Sequence, residues 1–166
     1  MVTYTVPVND RIGYGEDAHK LAEGRPLVVG NVTIPDSPLG AVAHSDGDVL
    51  LHALSDALLS AFALGDIGSY FPPSEPSFKN MDSADILRRV LEVVEDAAPN
   101  TALVNVAAVV TLDAPKLGQH RETIQGRVAG LLELPPERVG LTFKTSEGLA
   151  PGHIQARVAV LLSQHA

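Results

Sequence analysis

The apolar positions of this chain recur with two periods. Between Asp46 and about Leu64, the residues Leu50, Leu51, Leu54, Leu58, Ala61 and Phe62 return every three or four positions, which predicts an amphipathic helix. A second helix is predicted from Ser83 to about Ala98, with Ile86, Leu87, Val90, Leu91 and Val94 facing inward and Asp82 or Ser83 as its cap. A third runs from about Gln119 to Leu134 and is closed by Pro135-Pro136. The remaining apolar segments read as strands. Residues 26–35, PLVVGNVTIP, predict two short strands around a Gly30-Asn31 hairpin turn. Ala102 to Leu112 is apolar and β-branched, as a central strand should be, and Asp113-Ala114-Pro115-Lys116 ends it. The last two strands are Val139 to Thr145 and His153 to Leu162; in the latter Ile154, Ala156, Val158, Val160 and Leu162 alternate with other residues. Gly65-Asp66-Ile67-Gly68 and Phe71-Pro72-Pro73 carry the punctuation of an ordered, ligand-bearing loop.

Strands and helices are interspersed, yet several neighbouring strands lack a helix between them. A mixed β-sheet with helices on one face, a two-layer α+β domain, fits this order better than a doubly wound parallel sheet. Such a layout leaves the other sheet face apolar and uncovered, which points to burial against further subunits. The length of 166 residues suits one domain spanning 1–166, with a core from about 11 to 162 and a short N-terminal extension at 1–10. No apolar run approaches the roughly 18 residues of a membrane span. The first ten residues also lack the charged start and long apolar stretch of a secretion signal, so a cytoplasmic protein with no membrane partner is expected. The net charge of -8, with no cluster of Lys and Arg, argues against a nucleic-acid partner. A small phosphorylated ligand stays compatible with that charge where metals, backbone N–H groups and one or two lysines offset the anion.

The chemistry concentrates in two short segments. Asp17-Ala18-His19 lies near the start, and His44-Ser45-Asp46-Gly47-Asp48 is followed by His52 and Asp56; together they hold three of the six histidines. On an extended segment an Asp-x-His pair turns both side chains to one face. With His52 as a third ligand, the Asp-His-His set has the donors of a catalytic zinc with one open position, whereas structural zinc usually closes its shell with thiolates. The chain has no cysteine. Two plainer roles stand beside this one: histidines that only hydrogen-bond at a surface, and Asp46 or Asp48 capping the following helix. His52 and Asp56 stand four apart and form a neighbouring pair on that helix.

Taken in order, Asp17-Ala18-His19, the HSDGD run at 44–48, Gly65-Asp66-Ile67-Gly68, Ala114-Pro115-Lys116 and Lys144-Thr145-Ser146-Glu147 resemble the motifs of the 2-C-methyl-D-erythritol 2,4-cyclodiphosphate synthase family. The resemblance spans about Arg11 to Leu162. It implies an enzyme of the non-mevalonate isoprenoid pathway that releases CMP from 4-diphosphocytidyl-2-C-methyl-D-erythritol 2-phosphate as the 2-phosphate closes a ring. It implies a homotrimer whose active sites lie between subunits and whose sheets face the trimer axis. By matching motifs, Asp17, His19 and His52 would hold zinc, Glu147 would hold magnesium or manganese, and His44 and Thr145 would assist the transition state. Asp66 and the backbone around Gly68 would hold the methylerythritol hydroxyls, with Ser45, Ile67 and Phe71 also binding substrate. Leu112, Asp113, Ala114, Pro115, Lys116, Leu117 and Gly118, with Lys144, Thr145, Ser146 and Glu147, would form the cytidine pocket. Asp48 and Asp56 would orient the histidines from behind.

The chain departs from the family pattern after Glu147, where only Gly148-Leu149-Ala150-Pro151-Gly152 precedes His153. The arginine usual there has no counterpart. In relatives that arginine and an aromatic line an axial cavity able to hold an isoprenoid diphosphate, so weak or absent binding of such anions is expected. Pro73 and Glu75 stand where acidic residues, often aspartates, are common in the loop after Phe71-Pro72, and Tyr14 and Glu16 replace frequent alternatives beside Asp17. Two other functions share the same ligands: a metal-dependent diphosphate hydrolase, and a non-catalytic trimeric binding module assembled by metal. Product identity separates the first, and loss of assembly in His52→Ala separates the second.

Overall fold

A computed structural model describes residues 9–72, 74, 75 and 81–164. Strand β1, Asn9–Ala22, is fourteen residues long and carries the Asp-x-His pair. The short β2, Leu27–Val29, and β3, Val32–Ile34, follow as the expected hairpin. Gly30 and Asn31 both take left-handed conformations, φ 62° and 59°, as a tight two-residue turn of this hand requires. After β4, Gly40–Ala41, come helix α1, Val49–Ser60, the single turn α2, Ile67–Tyr70, and α3, Ser83–Ala97. Then follow β5, Thr101–Leu112, a 3-10 turn at Leu117–His120, α4, Arg121–Leu131, β6, Val139–Lys144, and β7, His153–Gln164.

The main sheet has the order β4-β1-β7-β5-β6. Only β5 and β6 run parallel; β1 and β5 both pair antiparallel with β7, which makes the sheet mixed as expected. Helix α1 crosses β1 and β7, and α3 packs on α1. The even positions of β7 from Ile154 to Leu162 are buried beneath the helices. The opposite face is open: Ile12 is 76% exposed and Tyr14 54%. A shallow depression of about 480 Å³ on that face is lined by Tyr14, Ala107, Gly140 and Ala159, among others.

Several boundaries differ from the sequence expectation for physical reasons. The loop at Gly65–Gly68 runs into α2, because the Asp66 carboxylate accepts the Ser69 N–H at 3.0 Å and caps the turn. Helix α1 starts at Val49, not at Asp46, and its residues are buried nearly all round because the sheet lies below it and α3 beside it. The third helix divides into a 3-10 turn and α4. Asn9 and Asp10, expected in an extension, pair with Gln164 and Ser163 and belong to the sheet. Residues 1–8 and Pro73 lie outside the described residues.

Two glycines on β1 set the distance between the layers. Gly13 and Gly15 share a strand face with Asp17 and His19, by alternation. A Cβ on Gly13 would sit 1.8 Å from the Ala57 carbonyl oxygen, and one on Gly15 2.2 Å from that of Ala53. Both contacts are with backbone of α1, so the helix lies on bare strand. That close approach carries His52, one turn before Asp56, down to Asp17.

Candidate active site

Asp17, His19 and His52 converge from β1 and α1. The Asp17 Oδ2 atom lies 2.9 Å from His19 Nε2 and 2.9 Å from His52 Nδ1, and the two ring nitrogens are 3.3 Å apart. One ligand atom from each residue fits within 4.8 Å of the others. Burial works against a charged Asp17, but hydrogen bonds from both histidines outweigh it and hold the carboxyl far below the ordinary range. Burial likewise works against a protonated His52, and the Asp17 carboxylate reverses that, raising its pKa. Two imidazole nitrogens and one carboxylate oxygen fit a zinc-type ion with an open position, since that ion accepts nitrogen and oxygen donors in small number.

The triad opens into a cavity of about 290 Å³. Eight residues assigned by the family motifs line it: Asp17, His19 and His52, then His44, Ser45, Ile67, Gly68 and Phe71. Glu75 lines it too, whereas Asp66 does not; its Oδ1 atom accepts from the Ser69 N–H and hydroxyl at the outer end of α2. The HSDGD loop is held by Arg25, which donates to the Ser45 carbonyl at 3.1 Å.

Asp48 and Asp56 do not reach the histidines with hydrogen bonds, contrary to the orienting role expected for them. Asp48 is fully buried; its Oδ1 atom accepts from the N–H groups of Gly30, Leu50 and Leu51, and Oδ2 accepts from that of Asn31. It joins the hairpin turn to the first turn of α1, and burial pushes its pKa up against those four donors. The cap proposed for Asp48 is therefore real, with the hairpin added. Asp56 accepts from the Ile67 N–H at 2.8 Å and fixes the start of α2. The atoms that do meet His52 Nε2 are the hydroxyls of Ser83, at 2.9 Å, and Ser45, at 3.1 Å. Ser83 lies 31 residues from His52 and follows no spacing rule that would link them.

A second cleft of about 240 Å³ forms where β5 and β6 end. Leu112, Lys116, Leu117, Gly118, Lys144 and Thr145 line it, joined by Arg121 and Phe143. The Arg121 guanidinium lies 4.9 Å from the Phe143 ring centre, a stacked cation that motif matching missed. Asp113 ties the two motif segments together by accepting the Ser146 N–H at 2.6 Å and its hydroxyl at 2.7 Å, which lowers its pKa. The Ala114-Pro115 bond is cis. The Thr145 hydroxyl donates to the Glu147 carboxylate, and Glu147 takes a left-handed φ of 54° at the exposed turn.

Both clefts lie at one end of the sheet but do not merge. His19 pairs with Ile154, Ile154 with Leu112, and neighbouring Thr111 with Lys144 on β6. Three strand spacings separate His19 from Lys144, about 14 Å across the sheet. Buried Ile154 lies between them, and the two clefts share no lining residue.

Residues 10–163 match the model of the YgbB family. The chain belongs to the YgbB family. Within it, the chain is 57% identical over 152 residues to a 2-C-methyl-D-erythritol 2,4-cyclodiphosphate synthase of Thermus thermophilus, covering 92% of this chain and 98% of the relative. It is 61% identical over 154 residues to the synthase of the same name from Deinococcus radiodurans, covering 93% and 94%. A solved structure of a synthase of this name in a CDP-bound form superposes with a TM-score of 0.86 at 54% identity, covering 92% of this chain and 99% of that one. The family thus accounts for the fold as well as for the order of the motifs. Among the described residues no helix is long and apolar enough to cross a membrane.

Proposed function

We propose that the chain converts 4-diphosphocytidyl-2-C-methyl-D-erythritol 2-phosphate to 2-C-methyl-D-erythritol 2,4-cyclodiphosphate and CMP, in the non-mevalonate route to isoprenoids. The observation that carries this reading is the Asp17-His19-His52 triad, convergent and open to a cavity, in a chain that shares 57% and 61% identity with synthases of that name. The CDP-bound form of the related structure supports a cytidine nucleotide as part of the ligand.

In this reaction an oxygen of the 2-phosphate forms a bond to the β-phosphorus. The bond from that phosphorus to the bridging oxygen breaks, and the electron pair leaves with CMP. No protein nucleophile is consumed, so the chain must hold two anionic phosphates in line and offset their charge. Zinc would be held by Asp17, His19 and His52, and when bound it supplies Lewis acidity and a template for phosphate oxygens. Glu147, an exposed carboxylate, is the kind of hard oxygen ligand that suits magnesium or manganese on a diphosphate.

The side chains divide the remaining work. His44 at the cavity edge donates to phosphate oxygens, and Thr145 at the second cleft does so once its hydroxyl turns away from Glu147; such bonds are strong because the acceptor is charged. Lys116 and Lys144 lend positive charge to a protein that is acidic overall. Ser45, Asp66, Ile67, Gly68 and Phe71 surround the methylerythritol portion. The backbone of Ala114 to Gly118, drawn toward Lys144 to Glu147 by Asp113 and Ser146, reads the cytosine edge.

The separation of the two clefts supports a homotrimer in which the cavity of one subunit faces the second cleft of its neighbour. The open sheet face bearing Ile12, Tyr14 and Ala159 then lies toward the trimer axis, out of water. Its apolar and small side chains gain from that burial. The domain functions as a unit in a soluble, cytoplasmic setting. The short turn at 147–152, with Leu149 90% exposed, goes with weak binding of isoprenoid diphosphates; tight, saturable binding of geranyl or farnesyl diphosphate in a calorimeter would overturn this.

The test is incubation of the protein with the cytidyl substrate and magnesium, read by phosphorus NMR, beside a sample stripped of zinc. Cyclic diphosphate and CMP, lost on stripping and restored by zinc, are expected. Linear hydrolysis products would establish the hydrolase instead, and an intact fold with no product would establish the binding module.

A further inference from the structure

We infer that Ser83 and Asp46 are positioning residues that fix which nitrogen of His52 is offered to the metal. The inference rests on the metal-binding reading of the triad. An ionised carboxylate can only accept hydrogen bonds. The Ser83 hydroxyl lies against Asp46 Oδ1 and donates to it, which uses its single proton. Toward His52 Nε2, 2.9 Å away, the same oxygen therefore has only lone pairs to present. His52 must carry a hydrogen on Nε2 to meet it. In the metal-free protein Nδ1 also bears a hydrogen, which it donates to the Asp17 carboxylate; a bound metal would take the place of that hydrogen and leave the one on Nε2, so that the neutral ring offers its lone pair from Nδ1, the atom that faces Asp17 and His19. Neutral imidazole binds metal through the nitrogen that lacks the proton, so the relay selects the ligating tautomer from behind.

Further contacts keep the relay rigid. Asp46 Oδ2 accepts the Ser83 N–H at 3.2 Å, and its Oδ1 atom accepts the Asp48 N–H at 3.1 Å. The Asp46 N–H donates to the Met81 carbonyl at 3.3 Å, strapping the segment before α3 across the HSDGD loop. Ser83 is the first residue of α3 and fully buried, and Asp82 beside it caps the helix through the Ala84 N–H. Asn31, held by the Asp48 carboxylate, donates its side-chain amide to Asp82 at 3.1 Å. The entry to α3 is therefore tied to the same loop and turn that start α1. The Ser45 hydroxyl stands farther off, 3.1 Å from Nε2, and its oxygen receives the Gly47 N–H. His52 thus has its ring plane set by α3 as well as by α1, while Asp17 and His19 come from a single strand.

The experiment measures zinc affinity by competition with a chromophoric chelator, and the visible spectrum of the cobalt-loaded protein, in the parent and four variants. Ser83→Ala should bind zinc 10- to 100-fold more weakly, the range for loss of a group that orients a ligand. Its cobalt spectrum should change, while the melting temperature and circular dichroism of the metal-free protein should show the fold retained. Ser83→Thr, which keeps the hydroxyl, should restore affinity and spectrum. Asp46→Asn keeps the volume but lets the Ser83 hydroxyl turn toward His52, so it should weaken zinc with that hydroxyl present; this variant stands in if Thr is too large for the buried site. Zinc affinity and cobalt spectrum within twofold of the parent in folded Ser83→Ala or Asp46→Asn would overturn the relay alone. Equal zinc affinity in the parent and His52→Ala would overturn the metal assignment itself, and the relay with it.

Discussion

The two clefts of this molecule are built in opposite ways. Around the candidate metal triad the polar groups are tied together: Asp17 meets both histidines, Ser83 and Ser45 meet His52 on its far nitrogen, and a buried Asp48 caps the start of α1. At the ends of β5 and β6, by contrast, Lys116, Lys144 and Glu147 stand in solvent, and the Asp113–Ser146 clasp joins their two loops. The difference follows from what each side must do. Converging ligands repel or compete unless their geometry is set before the ion arrives, so rigidity there raises affinity. A cleft that grips a flexible nucleotide diphosphate can keep its cations hydrated until the ligand or a neighbouring subunit covers them.

Breaking the close approach of α1 to β1 should have the largest effect on this contrast. In Gly15→Ala the new Cβ meets backbone of α1, and overpacking commonly costs 1–3 kcal/mol, about 3 here because the obstacle is not a flexible side chain. Urea melts should register that loss. Zinc affinity should fall with it, because the helix that moves is the one carrying His52; unchanged zinc affinity would show that the triad tolerates a loosened layer spacing.

A middle-sized effect is expected at the other cleft. Lys116→Ala removes an exposed cation from the proposed nucleotide side and should raise KM about tenfold, the scale of one charged hydrogen bond. Zinc affinity and thermal stability should remain as in the parent. A fall in zinc affinity would show that the two clefts communicate within one subunit.

The smallest effect concerns pH and sharpens the same comparison on metal-free protein. The pKa of Asp17 is lowered from 3.8, so its contribution to stability is present above that value and fades as pH falls through the folded pKa. The pKa of His52 is raised from 6.5, so its contribution is full below that value and fades as pH rises through the folded pKa. The gap in melting temperature between the parent and Asp17→Asn should therefore be widest between about pH 4 and 6.5. It should narrow on both sides of that window. A gap that does not vary with pH would mean that the three side chains are not in contact without metal.

Much of this was legible along the chain because it depends on neighbours in sequence. Alternation along β7, the three-and-four spacing of α3 and the Gly30-Asn31 turn are local patterns, and the helices and hairpin appear close to where those patterns place them. The Asp17-x-His19 pair is local too, since two residues of one strand share a face without outside help. The alternation Gly13-x-Gly15-x-Asp17-x-His19 was also present, a signal that the strand face bearing the ligands is stripped bare for a helix. Its meaning required knowing which helix would lie there.

What the chain order could not fix are the partners brought together by long-range packing. Asp48 lies four residues from His52 and suited an orienting role by proximity, yet its oxygens turn to a hairpin 17 and 18 residues away, because buried backbone N–H groups there need an acceptor. Ser83 reaches the ring from the head of another helix, and Arg121 and Phe143 complete a cleft whose motifs name neither. Sequence by itself determined the elements and the donor atoms, since periodicity and side-chain chemistry are properties of short segments. Only the tertiary structure decided which carboxylate caps, which hydroxyl orients and how far apart the clefts stand, because a hydrogen bond is satisfied by whatever the packed chain brings within about 3 Å.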